Sequence, residues 1–145
     1  MPKSTPTCNS IINLMYRETT WANVAENATA APITDTYVAL HTANLTAATD
    51  SQAENETAYT DYARESQDRG GAGWDAASGG ATANAATISF PQCGVTGATL
   101  THVSVGIGAS GATKVWHYGA LNSSLIVSSG ITPQFAAGAL TVTEA

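Results

Sequence analysis

From residue 36 onward, short segments rich in strand-forming residues alternate with turns that contain Gly, Pro or Asn, and this pattern limits the possible folds more than any other feature. The segments predicted as strands are 36–41, 59–65, 86–90, 100–107, 113–121, 125–127, 132–135 and 139–143. A series of short strands without intervening helices is typical of an antiparallel sandwich or barrel. We therefore predict a mainly β protein, an antiparallel β-sandwich or jelly-roll-like domain.

The N-terminal segment has the pattern of one short α-helix. Thr5 is the candidate cap, and Pro6 suits the first helical position. Apolar residues follow at helical spacing, namely Cys8, Ile11, Ile12 and Met15, with Leu14 widening the stripe. A helix of about 12 residues is marginal alone in water, so it must dock on another surface. That surface is either the domain's own sheet or a neighbouring subunit.

The length of 145 residues fits a single domain, residues 1–145. In this prediction residues 1–20 form an N-terminal helical arm, and residues 35–145 form the β-sandwich. Two long segments are predicted as loops: 42–56, which is acidic and expected to be exposed, and 64–83, which is rich in glycine and contains Trp74. Trp74 is either a binding anchor or a lid that folds back over the core.

Charged residues are scarce. They make up 11% of the chain, against about 25% in ordinary domains. The net charge is −6 and the five Lys and Arg residues are scattered, which argues against nucleic-acid binding and against an anionic membrane surface. Small uncharged side chains lose little conformational entropy when a partner covers them. The composition thus favours a surface that other subunits cover, although an ordinary β protein with Ala- and Thr-rich usage would look similar.

The sequence offers no catalytic, metal or cofactor site, and we expect no enzymatic activity. His41, His102 and His117 fall inside predicted strands, where a hydrogen-bonded structural role is more common than catalysis. No Gly-x-Ser-x-Gly elbow accompanies them, and Cys-x-x-Cys, His-x-x-x-His and EF-hand patterns are missing. Cys8 and Cys93 are predicted to be buried thiols and not a disulfide.

Several stretches, taken in order, resemble a family of small structural proteins of tailed bacteriophages, described as tail-fibre, minor tail or capsid decoration proteins. The stretches are the helix ending near Trp21, then 35–43, 59–64, 86–91, 101–103, 119–121 and 135–143. The resemblance covers nearly the whole chain. It implies a β-rich, non-enzymatic component of the virion.

Among the roles in that family, the sequence favours a capsid cement or decoration protein. It has neither the heptads nor the collagen-like repeat from which a fibre shaft is built. The expected partners are the major capsid protein and copies of the chain itself as a homotrimer on the capsid exterior. No nucleic acid, membrane or small-molecule substrate is expected. Without a signal-peptide pattern, the protein is expected in the host cytoplasm before assembly.

The alternative is a minor tail or tail-fibre component involved in host attachment, with Trp74, Trp116 or Tyr118 as contact residues. The residues predicted to lie at a subunit interface are those of the apolar helix stripe and two tryptophans: Ile11, Ile12, Leu14, Met15, Trp21 and Trp74.

Overall fold

The computed structural model describes residues 3–21, 24–25, 32–46 and 50–144. Its elements are α1 (Thr5–Arg17), β1 (Asp35–His41), β2 (Glu65–Asp68), β3 (Ala81–Ala83), β4 (Ile88–Ser89), β5 (Ala98–Gly106), β6 (Val115–Val127), β7 (Gln134–Phe135) and β8 (Thr141–Thr143). The described part is mainly β, with antiparallel sheets and one short N-terminal helix, which confirms the predicted fold class. Packing of the sheets as a sandwich stays a prediction.

The largest sheet has four strands in the order β2-β1-β5-β6. β1 runs antiparallel to β5, with Val38 opposite Val105 and Leu40 opposite Val103. β5 runs antiparallel to β6. Two further sheets have two strands each, β3 with β8 and β4 with β7. β1 and β5 lie in the interior of the four-stranded sheet, so their side chains are the most buried, and β6 lies at its edge.

The chain divides into two compact units. The first, here the helical unit, comprises Met1–Asp35, Gln67–Ile88 and Phe135–Ala145. The second, here the sheet unit, comprises Thr36–Ser66 and Ser89–Gln134. The prediction of a single domain stays a prediction.

Within the helical unit, α1 begins one residue earlier than predicted, at Thr5 instead of Pro6. Ser4 is the N-cap, and its Oγ accepts a hydrogen bond from the Thr7 amide at 3.4 Å, while Thr5 is already helical. The buried residues are Cys8, Ile12 and Tyr16, one every four positions. Because successive side chains at this spacing lie on one helix face, the inward face is centred on Ile12 and includes Tyr16, which the predicted stripe left out.

The helix docks on its own chain through polar contacts at its C-terminal end. Arg69 donates from Nη2 to the Leu14 carbonyl at 2.7 Å and from Nε to the Met15 carbonyl. Arg17 donates to the Trp74 carbonyl at 2.7 Å. The last carbonyls of a helix have no hydrogen-bond partner inside the helix, and they carry its partial negative charge. A guanidinium at this end therefore donates hydrogen bonds to these carbonyls and balances that charge.

The structure differs from the prediction in several segments. Residues 59–64 are not a strand, because Asp61 has a φ of 74°, a left-handed conformation that a regular strand does not contain. Segment 42–56 is not simply an exposed loop either, since Leu45 and Gln52 are fully buried. The segments 113–121 and 125–127, predicted as separate strands, form parts of the single strand β6. Both β2 and β3 lie inside the predicted loop 64–83.

Candidate subunit interface

The most exposed regular element of the sheet unit is β6, at the edge of the four-stranded sheet. It is 13 residues long, against a usual strand length of about 5–6. It contains no Asp, Glu, Lys or Arg and no Pro. Soluble proteins usually protect an edge strand with charged residues, Pro or short length, because its unpaired backbone groups can pair with another chain. β6 lacks these three protections, and a bulge in its pairing with β5 is the one protection of the edge that it has.

The pairing of β5 with β6 contains a wide irregularity. Leu100 lies opposite Leu125 and His102 lies opposite Ala120, so two steps along β5 (102 − 100) correspond to five along β6 (125 − 120). Three extra residues of β6 are therefore accommodated between these pairs. Such bulges bend an edge and redirect its side chains. After the bulge, Leu125, Ile126 and Val127 resume pairing with β5, opposite Leu100, Thr99 and Ala98.

The C-terminal half of β6 is exposed on both faces of the strand. All five residues of 122–126 are exposed, a stretch that we call the exposed run. Ile126, opposite Thr99, is 74% exposed, and Leu125, opposite the buried Leu100, is 40% exposed. Successive strand residues point to opposite faces, so each face of the exposed run carries an apolar side chain.

The turns next to the end of the β5–β6 pair where Leu100 lies opposite Leu125 add further exposed apolar residues. Val95 precedes β5 and is 89% exposed, and Ile131 follows β6 and is 42% exposed. The two turns are joined by hydrogen bonds from the Cys93 amide to the Ile131 carbonyl and from the Gly130 amide to the Cys93 carbonyl, each 2.8 Å. This end of the sheet unit therefore presents uncharged, partly apolar surface on a hydrogen-bonded framework.

The opposite end of the β5–β6 pair is held by a buried guanidinium. Arg64, whose side chain is 1% exposed, donates to the carbonyls of Gly108 (2.9 Å) and Gly111 (2.8 Å) and to Thr113 Oγ1 (2.7 Å). Its charge is balanced by Glu56. These bonds fix the turn between β5 and β6 and therefore the point at which β6 begins.

A second buried polar side chain, that of Gln52, lies next to the Arg64 guanidinium. Gln52 donates to the Tyr37 carbonyl at 2.9 Å and to Ser104 Oγ at 3.3 Å. A side chain at Gly106 would clash with the Lys114 carbonyl and with the Gln52 side chain, so glycine at that position lets Gln52 lie against the sheet. The polar side chains of segment 50–57 are thus used to hold it on β1 and β5.

His41 and Ser104 have the contact expected of a base and a nucleophile, yet both are buried. His41 Nδ1 donates to the Glu54 carbonyl at 2.9 Å, which leaves Nε2 to accept from Ser104 Oγ at 2.8 Å. Their exposed fractions are 0% and 1%. Burial lowers the pKa of His41, so the ring is neutral at physiological pH. A substrate could not reach this pair without rearrangement, and the arrangement fits the structural role predicted for His41.

Among residues 3–21, 24–25, 32–46 and 50–144, no group of three or more His, Cys, Asp or Glu side chains could hold a metal ion. None of the helices in that part of the chain is long and apolar enough to cross a membrane. Cys8 and Cys93 are buried and free, as predicted.

The six residues predicted at a subunit interface all belong to the helical unit. Trp74 and Ile12 are fully buried within the chain, and Trp74 meets the ring of Tyr16 edge-on at 4.7 Å. Neither offers area to a partner unless the chain rearranges, and the alternative of Trp74 as a lid over the core matches its burial. Ile11, Leu14, Met15 and Trp21 are half-buried. The interface role of the set stays a prediction.

Sequence reasoning missed the β6 edge, although a signal for it exists. No Asp, Glu, Lys or Arg lies between Lys114 and Glu144, and Lys114 is the only one between Asp75 and Glu144. Residues 1–75 carry four cations and ten anions, which accounts for the whole net charge of −6 (4 − 10), and residues 76–145 are neutral. This asymmetry is visible in the sequence and coincides with the half of the chain that contains β6.

A β-rich chain with a long edge strand free of Asp, Glu, Lys and Arg has features common in structural subunits. The family model described as podophage GP4 fiber I protein gp80 matches residues 3–143 of this chain. The chain therefore belongs to that family, and it is a structural, fibre-type protein of the phage virion. No curated protein matches the chain.

Proposed function

We propose that the protein is a subunit of the phage fibre and that it works by binding other virion subunits through its sheet unit. The observation that carries the proposal is the uncharged β6 edge, with its exposed run 122–126, in a chain of a fibre-protein family. The family description favours a fibre location over the capsid cement role that the sequence suggested.

The β6 edge suits this role because a sheet edge binds through its backbone. Main-chain hydrogen bonds supply affinity, and exposed side chains on either side of the strand supply specificity. Tyr118, Leu125 and Ile126 are the large side chains of β6 that are exposed. Their mixture of aromatic and aliphatic area with small polar residues is typical of the buried centre of an interface, where charged residues are depleted.

A capsid cement protein remains the second candidate. It is favoured by the lack of heptads or collagen-like repeats for building a shaft and by the low charge of the chain. In that role the chain would bind the major capsid protein as a homotrimer on the capsid exterior. It would stabilise the shell by mass action, because it binds only the assembled state.

The experiment that separates the two candidates is to split purified particles into heads and tails and quantify this protein in each fraction by mass spectrometry. The major capsid protein serves as the internal standard for heads, and a tail-tube protein serves as the standard for tails. A fibre subunit is expected in the tail fraction at few copies per particle. Hundreds of copies in the head fraction would contradict the fibre proposal in favour of cement, and absence from both would contradict both candidates.

A further inference from the structure

We propose that segment 50–57, here the strap, is released by acid: it lies closed on β1 and β5 at neutral pH and opens locally when His41 takes up a proton. The inference goes beyond the proposed function and does not depend on it. The strap, His41 and β5 all belong to the sheet unit, so the device is contained in that unit.

The strap is held on the sheet without burying an apolar side chain. Its buried residues are Gln52 and Thr57, both polar, and its one apolar residue, Ala53, is exposed. The Gln52 amide donates to the Thr113 carbonyl at 2.8 Å, and the Thr57 amide donates to the Leu40 carbonyl at 2.9 Å. Segments with few buried apolar contacts open at a lower free energy than the core of a protein. The strap can therefore open while β1 and β5 stay paired.

A chain of hydrogen bonds leaves the strap, passes through two side chains of the sheet and returns to the strap. Gln52 Nε2 donates to Ser104 Oγ at 3.3 Å, and Ser104 Oγ donates to His41 Nε2 at 2.8 Å. His41 Nδ1 then donates to the Glu54 carbonyl at 2.9 Å. An amide nitrogen can only donate and a carbonyl can only accept, so the direction of every bond in this chain is fixed.

A second proton on the His41 ring has no place in this chain. Nε2 would carry a hydrogen directed at Ser104 Oγ, and the hydroxyl hydrogen of Ser104 would lose its acceptor. Both side chains are fully buried, so water reaches them only if the strap moves. A buried charge and a buried hydroxyl without an acceptor each cost free energy, and solvation in the open form removes both costs.

The charged and titratable side chains around His41 do not offset the added charge. They come from the strap, from residues 59–65 and from β5, and they are Glu54, Glu56, Tyr62, Arg64 and His102. Glu56 favours a charged ring, but it already forms a two-point pair with Arg64. Arg64 and His102, the residue opposite His41 on β5, both oppose a positive ring. The proton is therefore better accommodated when the strap is open.

The direction of the pH effect follows from the two environments of the ring. In the open form the pKa of His41 returns to its ordinary value of 6.5, whereas burial lowers the pKa in the closed form. Below pH 6.5 the open form binds the proton more tightly, so the equilibrium constant for opening rises as pH falls. One proton gives a rise of about tenfold between pH 7.5 and 5.5.

The test is amide hydrogen exchange of the whole purified chain, followed by NMR between pH 7.5 and 5.5 and corrected for the intrinsic chemical rate. The amides of Gln52 and Thr57 report opening of the strap. The reference is the Cys93 amide, which donates to the Ile131 carbonyl in the same unit. We expect the strap amides to show the rise of about tenfold, through an opening that responds less to added urea, up to about 1 M, than that of Cys93.

The variant that isolates the ring is His41→Gln. Its amide can donate and accept as the neutral imidazole does, but it takes up no proton in this pH range. Strap opening in this variant should no longer depend on pH. The matched control is His117→Gln, because His117 lies opposite Val105, on the other face of the sheet from Ser104. The control should keep the dependence on pH.

Three results would overturn the proposal: opening of the strap amides that does not change with pH, a urea dependence equal to that of Cys93, or a pH dependence that survives in His41→Gln. Should that variant fail to fold, the imidazole NMR signals of the wild-type chain decide the question. The His41 ring should take up its proton over the same pH range in which the strap opens. A protonated ring with the Gln52 and Thr57 amides still protected would contradict release by acid.

Discussion

Arg64 and Glu56 form a two-point ion pair inside the sheet unit, with Nε and Nη2 of Arg64 each 2.7 Å from a different carboxylate oxygen of Glu56. The Arg64 side chain is 1% exposed and that of Glu56 is 17% exposed. Tyr62 donates to the same carboxylate at 2.9 Å and accepts from the Leu40 amide at 3.1 Å. One pair thus connects β1, segment 50–57 and the turn that begins β6.

Removing one member of this pair should destabilise the protein strongly. Arg64→Met leaves Glu56 in place without its cation, and the carbonyls of Gly108 and Gly111 lose their donor. We expect a loss of about 3–5 kcal/mol in the free energy of unfolding, measured by urea denaturation. The control is Lys114→Met, which breaks the exposed pair with Asp50 and should cost at most about 1 kcal/mol. Equal losses in the two variants would contradict the structural role of Arg64.

Replacing the side-chain amide of Asn84 with a carboxylate of the same shape should lower the stability of the protein. Its Nδ2 donates to the carbonyls of Ala86 (2.7 Å) and Ala136 (2.8 Å), and its Oδ1 accepts from the Leu140 amide at 2.8 Å. Asn84→Asp keeps the shape but replaces the two donated bonds with repulsion between oxygens, so we expect a loss of at least about 2 kcal/mol. Asn44→Asp, at an exposed position, should cost under about 0.5 kcal/mol. Thermal and urea unfolding of both variants give the comparison.

Buried His41 should make the stability fall in mild acid. Burial lowers the pKa of His41 below its ordinary value of 6.5, so below pH 6.5 the unfolded chain takes up a proton that the folded chain does not. The free energy of unfolding should therefore decrease as pH falls from about 6.5 toward the folded-state pKa. Urea denaturation between pH 7.5 and 5.5 measures the slope. The slope should flatten in His41→Gln, and an unchanged slope would assign it to other groups.

Replacing Trp74 should affect the folding of the helical unit more than it affects assembly with other chains. Its side chain is fully buried against Tyr16, and Trp74→Ala should cost about 3–5 kcal/mol. Trp74→Phe keeps an aromatic ring and should lose less. Circular dichroism melting checks stability, and native mass spectrometry checks association. A variant that melts like the wild type but no longer associates would support the anchor role predicted from the sequence.

Thr57 offers the opposite test, a position where removing a polar atom should help. Its Oγ1 is buried and, within the described part of the chain, has no hydrogen-bond partner. Thr57→Val replaces the hydroxyl with a methyl group of similar size, and we expect a gain of up to about 1 kcal/mol. Thr82→Val is the matched control, because Thr82 donates to the Asp75 carbonyl at 2.6 Å and should lose stability. A loss at both sites would indicate a bonded hydroxyl at Thr57.

Local patterns succeeded where the backbone is regular and failed where a special conformation intervenes. β1 and β5 were predicted nearly to the residue, because both are interior strands with buried β-branched residues. The helix was also predicted, but its inward face was not, since Tyr16 is buried by its contact with Trp74, 58 residues away in sequence. Segment 59–65 was predicted as a strand, and residues 59–64 of it are not one, because alternation of residue types cannot reveal the left-handed Asp61.

The sequence by itself determined that the protein is mainly β, that its N-terminus is helical, and that its C-terminal half has no net charge. These properties depend on residue type and short-range spacing, which a single sequence displays directly. The tertiary structure decided which strand lies at the sheet edge, that Trp74 is buried, and that Arg64 holds the turn before β6. Each of these depends on pairing between residues far apart in the chain, and local patterns contain no information about such partners.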